Sequence, residues 1–304
     1  MLKKTVAGAL LVGTFFAAGQ ASATELWDNH LRGVDTGLAA GALPPQGVYF
    51  VDDNYMLSYK GYASNKETST KLDGLVNVPI VLWNPGLHFL GGDYAVAVAQ
   101  PFDYTSIGTG GNQSAHTGTF NTILVPAIMS WALPYDLHVK GSVAVFLNDA
   151  SSSQNAQNRP EGGVGAGNAF TTFEPGLGVS WLHDGWNLSA QMQYDTSTKD
   201  NSSVNAPNNG SYQSGDQFSV DYTATKTINK WTVGLGGFQQ NQLQRDKIGG
   251  VSTAGTVGDA YGAGPIVGYQ FGGVNVQAQY THDLLVHNDV GGDTFNVRFV
   301  VPLL

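Results

Sequence analysis

Strict alternation of apolar and polar residues is the feature that most limits what this chain can fold into. It runs without a break through Trp186–Asp195 and again through Val274–Thr281. Successive side chains of a strand point to opposite faces, so each stretch has one apolar face and one face of amides and hydroxyls. Very short turns alternate with long polar loops along the chain. The strands of a soluble sandwich also alternate apolar and polar residues, but they are rarely joined by short and long connections in strict alternation. This arrangement of connections is typical of a barrel with lipid outside and water inside.

The start of the chain indicates export. Lys3 and Lys4 precede an apolar run from Val6 to Ala18, and small residues follow up to Ala23. This pattern predicts a secretory signal peptide over residues 1–23, cut after Ala23. The run is shorter than the roughly 20 residues that a membrane-spanning helix needs. We therefore expect the mature chain to cross the outer membrane of a Gram-negative cell with strands.

Composition excludes several classes of protein. The chain has no cysteine, which excludes disulfides and thiolate metal sites. Charged residues make up 12% of it, against roughly 25% in soluble domains. The net charge is −9, and loss of a signal peptide with two lysines and no acid takes it to −11. Such an acidic chain lacks the basic face of a nucleic-acid binder, so no nucleic-acid partner is expected.

The predicted fold is all-β: an antiparallel up-and-down transmembrane β-barrel of about 12 strands, formed by residues 47–304. An even number of strands is usual in single-chain bacterial barrels. Long polar segments at 106–119, 148–169, 196–215 and 241–259 are expected to be extracellular loops, and the short turns periplasmic. The predicted strands span 49–62, 72–83, 93–104, 120–131, 137–147, 173–182, 186–195, 217–226, 231–240, 261–271, 274–284 and 294–303.

Residues 24–46 do not have a strand pattern, and Pro44 and Pro45 end whatever precedes them. Two interpretations are open. The segment is either a periplasmic lead-in, which we favour, or a partial plug folded into the lumen.

Alternation also predicts which side chains face the lumen. Amides and hydroxyls dominate, with few charges of either sign, so the interior is expected to be weakly polar and nearly neutral. The ladders of Arg or Lys that a channel for acidic solutes needs are missing. The alternative is that these groups only hydrogen-bond to one another in a closed barrel. The predicted lumen-facing residues are Lys140, Glu174, Gln191, Gln193, Asp195, Asp221, Gln277, Gln279 and Arg298.

Aromatic residues cluster beside the short turns. Trp131 and Tyr135 flank one turn, Trp181 and Trp186 flank another, and Trp231 follows a third. Such amphipathic rings suit a headgroup boundary, so we expect them to form an aromatic girdle. Twelve strands fall between filled eight-strand barrels and open porins, which predicts a narrow or partly occluded passage.

The sequence contains no recognisable catalytic or metal-binding motif. None of its seven histidines has the spacing of a nucleophilic or metal site. His282 is next to Asp283, but adjacent residues of a strand face opposite sides. We therefore expect no enzyme activity, no cofactor and no metal.

Five short motifs, in this order, resemble the meta-pathway phenol degradation family of exported barrel proteins. They are Leu43–Tyr49, Gly91–Val98, Phe173–Leu177, Trp231–Phe238 and Gly264–Tyr269. The resemblance implies passive uptake of small hydrophobic or aromatic compounds, such as phenols, and carries over no catalytic residue. The expected partners are outer-membrane lipid, the solute and the barrel-assembly machinery, although the chain ends in Leu304 rather than the usual Phe.

Two other functions remain open at this point. One is a structural or adhesive outer-membrane barrel without transport, whose loops contact surfaces. The other is an outer-membrane enzyme.

Overall fold

The computed structural model describes residues 27–151, 167–200 and 211–304. The predicted signal peptide and parts of the loops expected at 148–169 and 196–215 lie outside the described residues. Within the described ranges, no helix is long and apolar enough to span a membrane.

The described residues form strands along almost the whole chain. The first half contains β1 (Gly47–Ala63), β2 (Lys66–Asn84), β3 (His88–Phe89), β4 (Gly92–Ala99), β5 (Phe102–Thr109), β6 (Asn112–Thr119), β7 (Ile123–Leu133), β8 (Leu137–Phe146) and β9 (Thr172–His183). The second half contains β10 (Trp186–Ser197), β11 (Tyr212–Gln213), β12 (Gln217–Ile228), β13 (Trp231–Gln242), β14 (Lys247–Ile248), β15 (Val251–Ser252), β16 (Asp259–Phe271), β17 (Val274–His287) and β18 (Val290–Pro302).

Twelve of these strands close into one antiparallel barrel. Their order around the wall is β1, β2, β4, β7, β8, β9, β10, β12, β13, β16, β17 and β18, and β18 pairs again with β1. Closure leaves no free sheet edge along these twelve strands, which is what a lipid environment demands of a spanning sheet. The predicted closed barrel of 12 strands is confirmed.

Two long stretches of the wall are each divided into two strands by a short break. β4 and β5 are separated by Gln100 and Pro101, and β6 and β7 by residues 120–122. Pro101 has no N–H to give to the ladder, which explains a break at this point. The prediction of a loop at 106–119 is wrong, because β5 pairs with β2 and β6 pairs with β5 there.

Two further connections are shorter than expected. Ser64 and Asn65 join β1 to β2, and Asn288 and Asp289 join β17 to β18. The predicted strands are too short at this end of the barrel, by one residue in β1 and by three to six residues in β2, β17 and β18, because polar residues beyond the apolar band still pair across the ladder. The backbone N–H of Ser64 donates to Asn288 Oδ1 at 2.7 Å, so the two tight turns brace each other.

The distribution of apolar and polar side chains across the barrel wall is the reverse of that in a soluble protein. Large apolar side chains such as Leu177 and Leu235 are exposed on the outer face, whereas Gln191 and Arg298 are buried inside. Soluble domains bury the apolar side chains and expose the polar ones. The outer face therefore suits lipid.

The expected girdle residues lie at the rim that carries the short turns. Tyr135, Trp186 and Trp231 are exposed there, and Trp131 Nε1 donates to the Leu90 carbonyl at 3.1 Å. Trp181 stacks on a neighbouring histidine ring at 5.3 Å. Their contact with lipid headgroups stays a prediction.

Orientation in the membrane can be tested with epitope tags. A tag between Gly249 and Gly250, in the exposed turn joining β14 to β15, is expected to be reachable by antibody on intact cells, because longer connections face outward. A tag between Gly272 and Gly273, in the tight turn before β17, should be reached only after permeabilisation. Surface labelling of the second tag on intact cells would contradict this orientation.

Candidate functional site: the filled lumen

The described N-terminal residues lie inside the barrel, and we call residues 27–46 the lumenal segment. The Gly37 N–H donates to Thr223 Oγ1 at 2.7 Å, and the Gly41 N–H donates to Ser180 Oγ at 2.7 Å. Both acceptors belong to inward faces of wall strands, and several other strands make similar contacts. These contacts favour the partial plug over the periplasmic lead-in, which was the preferred interpretation of the sequence.

Glycines allow the segment to lie directly against the wall. A Cβ on Gly178 of β9 would be 2.0 Å from the Ala40 carbonyl oxygen, and one on Gly41 would be 2.2 Å from the His138 carbonyl oxygen. Both clashes are with backbone atoms, which cannot rotate away. Any larger residue at these positions must therefore push the segment off the wall.

A buried arginine links the segment to two strands. The Arg298 guanidinium of β18 donates to Asp53 Oδ1 of β1 at 2.8 Å, to the Thr36 carbonyl at 2.7 Å and to the Val34 carbonyl. Its side chain is 2% exposed. Burying a charge is tolerable only when it is paired and hydrogen-bonded, and all three nitrogens of Arg298 have partners here.

A second arginine holds the outer part of the segment. Arg32 lies 2.6 Å from Asp289, 3.0 Å from Asp28 and 3.6 Å from Asp283, and also donates to Gln240 Oε1 at 2.7 Å. Burial by itself lowers the pKa of Arg32, but the surrounding carboxylates raise it above its ordinary value. Burial raises the pKa of Asp289, in the turn before β18, to about 7, even though Arg32 acts in the opposite direction.

A histidine of the segment lies among acidic groups. His30 Nδ1 is 3.2 Å from Glu174 Oε2 of β9, and Nε2 is 3.5 Å from Asp221 Oδ2 of β12. The Asp35 N–H donates to Asp221 Oδ2 at 2.8 Å, and Gln193 Nε2 donates to Asp35 Oδ2 at 2.7 Å. Burial by itself lowers the pKa of His30, but Glu174 and Asp221 raise it well above its ordinary value.

One side of the lumen is apolar, and we call its residues the lumenal apolar cluster. The rings of Trp27 and Phe120 meet edge to face with centroids 5.3 Å apart. Barrel interiors are normally polar, so buried aromatic and aliphatic side chains here form a different environment from the rest of the lumen. The cluster includes Trp27, Tyr55, Leu57, Leu72, Val78 and Phe120.

The structure places the predicted lumen-facing residues against the lumenal segment. Gln279 Oε1 accepts from Thr36 Oγ1 at 2.5 Å, and Asp221 Oδ1 accepts from the Gly33 N–H at 3.1 Å. Their part in solute passage stays a prediction. The buried ones are Glu174, Gln191, Gln193, Asp195, Asp221, Gln277, Gln279 and Arg298, while Lys140 is half-buried.

Sequence reasoning missed three of the charged residues that matter most. His30 and Arg32 lie in a segment without strand periodicity, so alternation says nothing about them. Asp53 lies in β1, where the pattern was not used to assign faces. The concentration of charged residues at 28–35, in a chain so poor in charge, is the signal that could have marked the segment.

A closed twelve-strand barrel with an apolar exterior and a polar interior defines the class of outer-membrane β-barrels. The family model described as "Putative MetA-pathway of phenol degradation" matches residues 43–299. The chain belongs to this family, which confirms the resemblance found in the sequence.

Solved structures share the fold. The crystal structure of the COG4313 outer membrane channel from Pseudomonas putida F1 superposes with a TM-score of 0.75 at 15% identity, covering 89% of this chain and 100% of that one. The translocator domain of the autotransporter NalP from Neisseria meningitidis gives a TM-score of 0.51 at 10% identity, covering 86% and 90%. At these identities the likeness concerns the fold. No curated protein matches the sequence.

Proposed function

We propose that this protein is an outer-membrane channel for passive uptake of small hydrophobic or aromatic compounds of the phenol type. The observation that carries the proposal is the lumenal apolar cluster, because an apolar region inside a polar barrel gives an uncharged ring a place that a sugar or an ion would not favour. Family membership supports it, since the family is described by phenol degradation. The outer membrane channel from Pseudomonas putida F1 shares this fold, and a non-enzymatic role accords with it.

Charge in the lumen favours neutral solutes. Glu174, Asp195 and Asp221 are buried on the inward face, and Lys140 and Arg298 are the cations predicted for that face. The acidic groups outnumber the cations they pair with, since Arg32 alone lies beside Asp28, Asp283 and Asp289, and His30 lies beside Glu174 and Asp221. An anion that entered a narrow passage would therefore meet net repulsion in a medium less polar than water, whereas a neutral phenol would not.

Uptake by intact cells tests the proposal. Cells that lack the protein and cells that express it are compared for entry of radiolabelled phenol and benzoate at pH 7. We expect the protein to accelerate entry of phenol more than entry of benzoate, which is an anion at this pH. Equal acceleration of both solutes would contradict the charge argument, and acceleration of neither would contradict transport.

A matched pair of variants tests the apolar cluster itself. Val78→Thr places a hydroxyl in the cluster with little change of shape, whereas Val81→Thr places one on the lipid-facing side of the same strand. A hydroxyl in an apolar contact costs roughly 1 kcal/mol, or about a fivefold loss of affinity. Phenol uptake should fall in the first variant and not in the second.

The second candidate is a structural barrel without transport. The observation in its favour is that the lumenal segment fills the interior through hydrogen bonds to many strands. In either case we propose that a signal peptide ending at Ala23 is cleaved, that the barrel-assembly machinery inserts the chain, and that lipid surrounds it.

A further inference from the structure

We propose that His30, Asp35 and Asp221 bind a first-row divalent cation, with Zn²⁺ as the ion that suits them best, and that this ion fastens the lumenal segment to the wall. One ligand atom from each of the three residues lies within 4.8 Å of the others. Two ligands come from the segment and one from β12, so an ion between them would join the two parts. This inference does not depend on the identity of the transported solute.

The distance between His30 and Asp221 favours shared coordination over a direct hydrogen bond. Nε2 of His30 is 3.5 Å from Asp221 Oδ2 and has no hydrogen-bond partner among the described residues. A charged N–H to carboxylate bond is about 2.7–2.9 Å long. Two ligands bonded at about 2.0–2.1 Å to one tetrahedral ion lie about 3.3–3.4 Å apart, which is close to the observed separation.

Glu174 orients His30 for an ion bound at Nε2. Its Oε2 lies 3.2 Å from Nδ1 of His30, within hydrogen-bond distance. With the proton kept on Nδ1, Nε2 would offer its lone pair to an ion shared with Asp221. A carboxylate behind a coordinating histidine is a regular feature of zinc sites, where it orients the ring and raises its basicity.

Carboxyl groups surround the buried histidine. Glu174 and Asp221 lie 3.2 Å and 3.5 Å from its ring nitrogens, and Asp195, the next inward residue of β10 after Gln193, is 3% exposed. Buried carboxylates are tolerated when they are paired or bind a metal ion, so a divalent cation would suit these groups. The ion must displace the proton that these acids favour on His30, so its binding releases protons.

Calorimetric titration of Zn²⁺ into the folded, EDTA-treated full-length barrel in detergent tests the site. We expect one ion per chain. His30→Gln should weaken binding by about 100-fold or more. The matched control is His282→Gln, because His282 also lies beside a carboxylate, Asp293 at 2.8 Å, but on the exposed surface. That variant should bind as the wild type does.

Folding of each variant is checked by its heat-dependent mobility on a denaturing gel. If His30→Gln does not fold, Asp35→Asn replaces it, since Asp35 lies in the segment and is only half-buried. Absence of stoichiometric Zn²⁺ binding by the wild type would overturn the proposal and leave only a proton on His30. Retained binding in the folded site variants, equal loss in His282→Gln, or displacement of Zn²⁺ by millimolar Mg²⁺ or Ca²⁺ would also overturn it.

Discussion

Deletion of residues 27–41 is expected to open a wider, water-filled passage through the barrel. The segment contacts inward side chains around the lumen, and twelve strands enclose more space than wall side chains alone fill. Single-channel conductance in planar bilayers should therefore rise by about tenfold or more. A folded deletion variant with unchanged conductance would show that the wall itself closes the passage.

A point substitution tests the same idea without shortening the chain. Gly178→Leu places a side chain where the Ala40 carbonyl lies, so the segment must leave that part of the wall. Conductance should rise toward that of the deletion variant. Gly141→Ala on the neighbouring strand is the control, because the nearest atom to its new Cβ is 4.0 Å away, at the edge of the Trp131 ring.

A large loss of stability is expected when a charge is placed on the lipid-facing side of the barrel. Leu235→Arg puts a charge on the outer side of β13, where Leu235 is 61% exposed. The cost at the bilayer midplane is roughly 2–4 kcal/mol. Reversible urea unfolding in lipid bilayers measures it. Asn275→Arg, at a half-buried inward position near the tight turn after β16, should cost much less.

The structure changes one expectation that follows from alternation alone. Gln191 faces inward, and an arginine there would be mild if the lumen held only water. Gln191 is 2% exposed, and its amide packs beside Gly176 and Gly178 under the segment. Gln191→Arg is therefore expected to be destabilising as well, which makes it unsuitable as the mild control.

The strands of the wall could be predicted because the sequence of each strand shows which residues belong to its apolar face and which to its polar face. Period-two alternation in β10 and β17 is a local property, and the turn at Asp184 and Gly185 adopts positive φ values of 47° and 75°, as its sequence suggests. The ends of strands were harder. β1, β2, β17 and β18 extend past the apolar band, where neighbours rather than hydropathy decide pairing.

The contents of the lumen could not be predicted in the same way. The contact between His30 and Asp221 joins residues far apart in the chain, and rules based on the spacing of residues in a sequence apply only to residues that are near one another. Alternation predicts that Arg298 faces the lumen, but no local pattern predicts that it donates to the carbonyls of Val34 and Thr36. Such contacts depend on closure of the whole sheet.

The partners of Arg298 have a consequence for biogenesis. The guanidinium lies on the last strand, its carboxylate partner on the first strand, and its carbonyl acceptors on the lumenal segment that precedes the first strand. A sheet still open between β18 and β1 leaves this charge without its full set of partners. Closure of the barrel and docking of the lumenal segment are therefore expected to form one cooperative event, because a barrel that closed without the segment would leave Arg298 without two of its three acceptors.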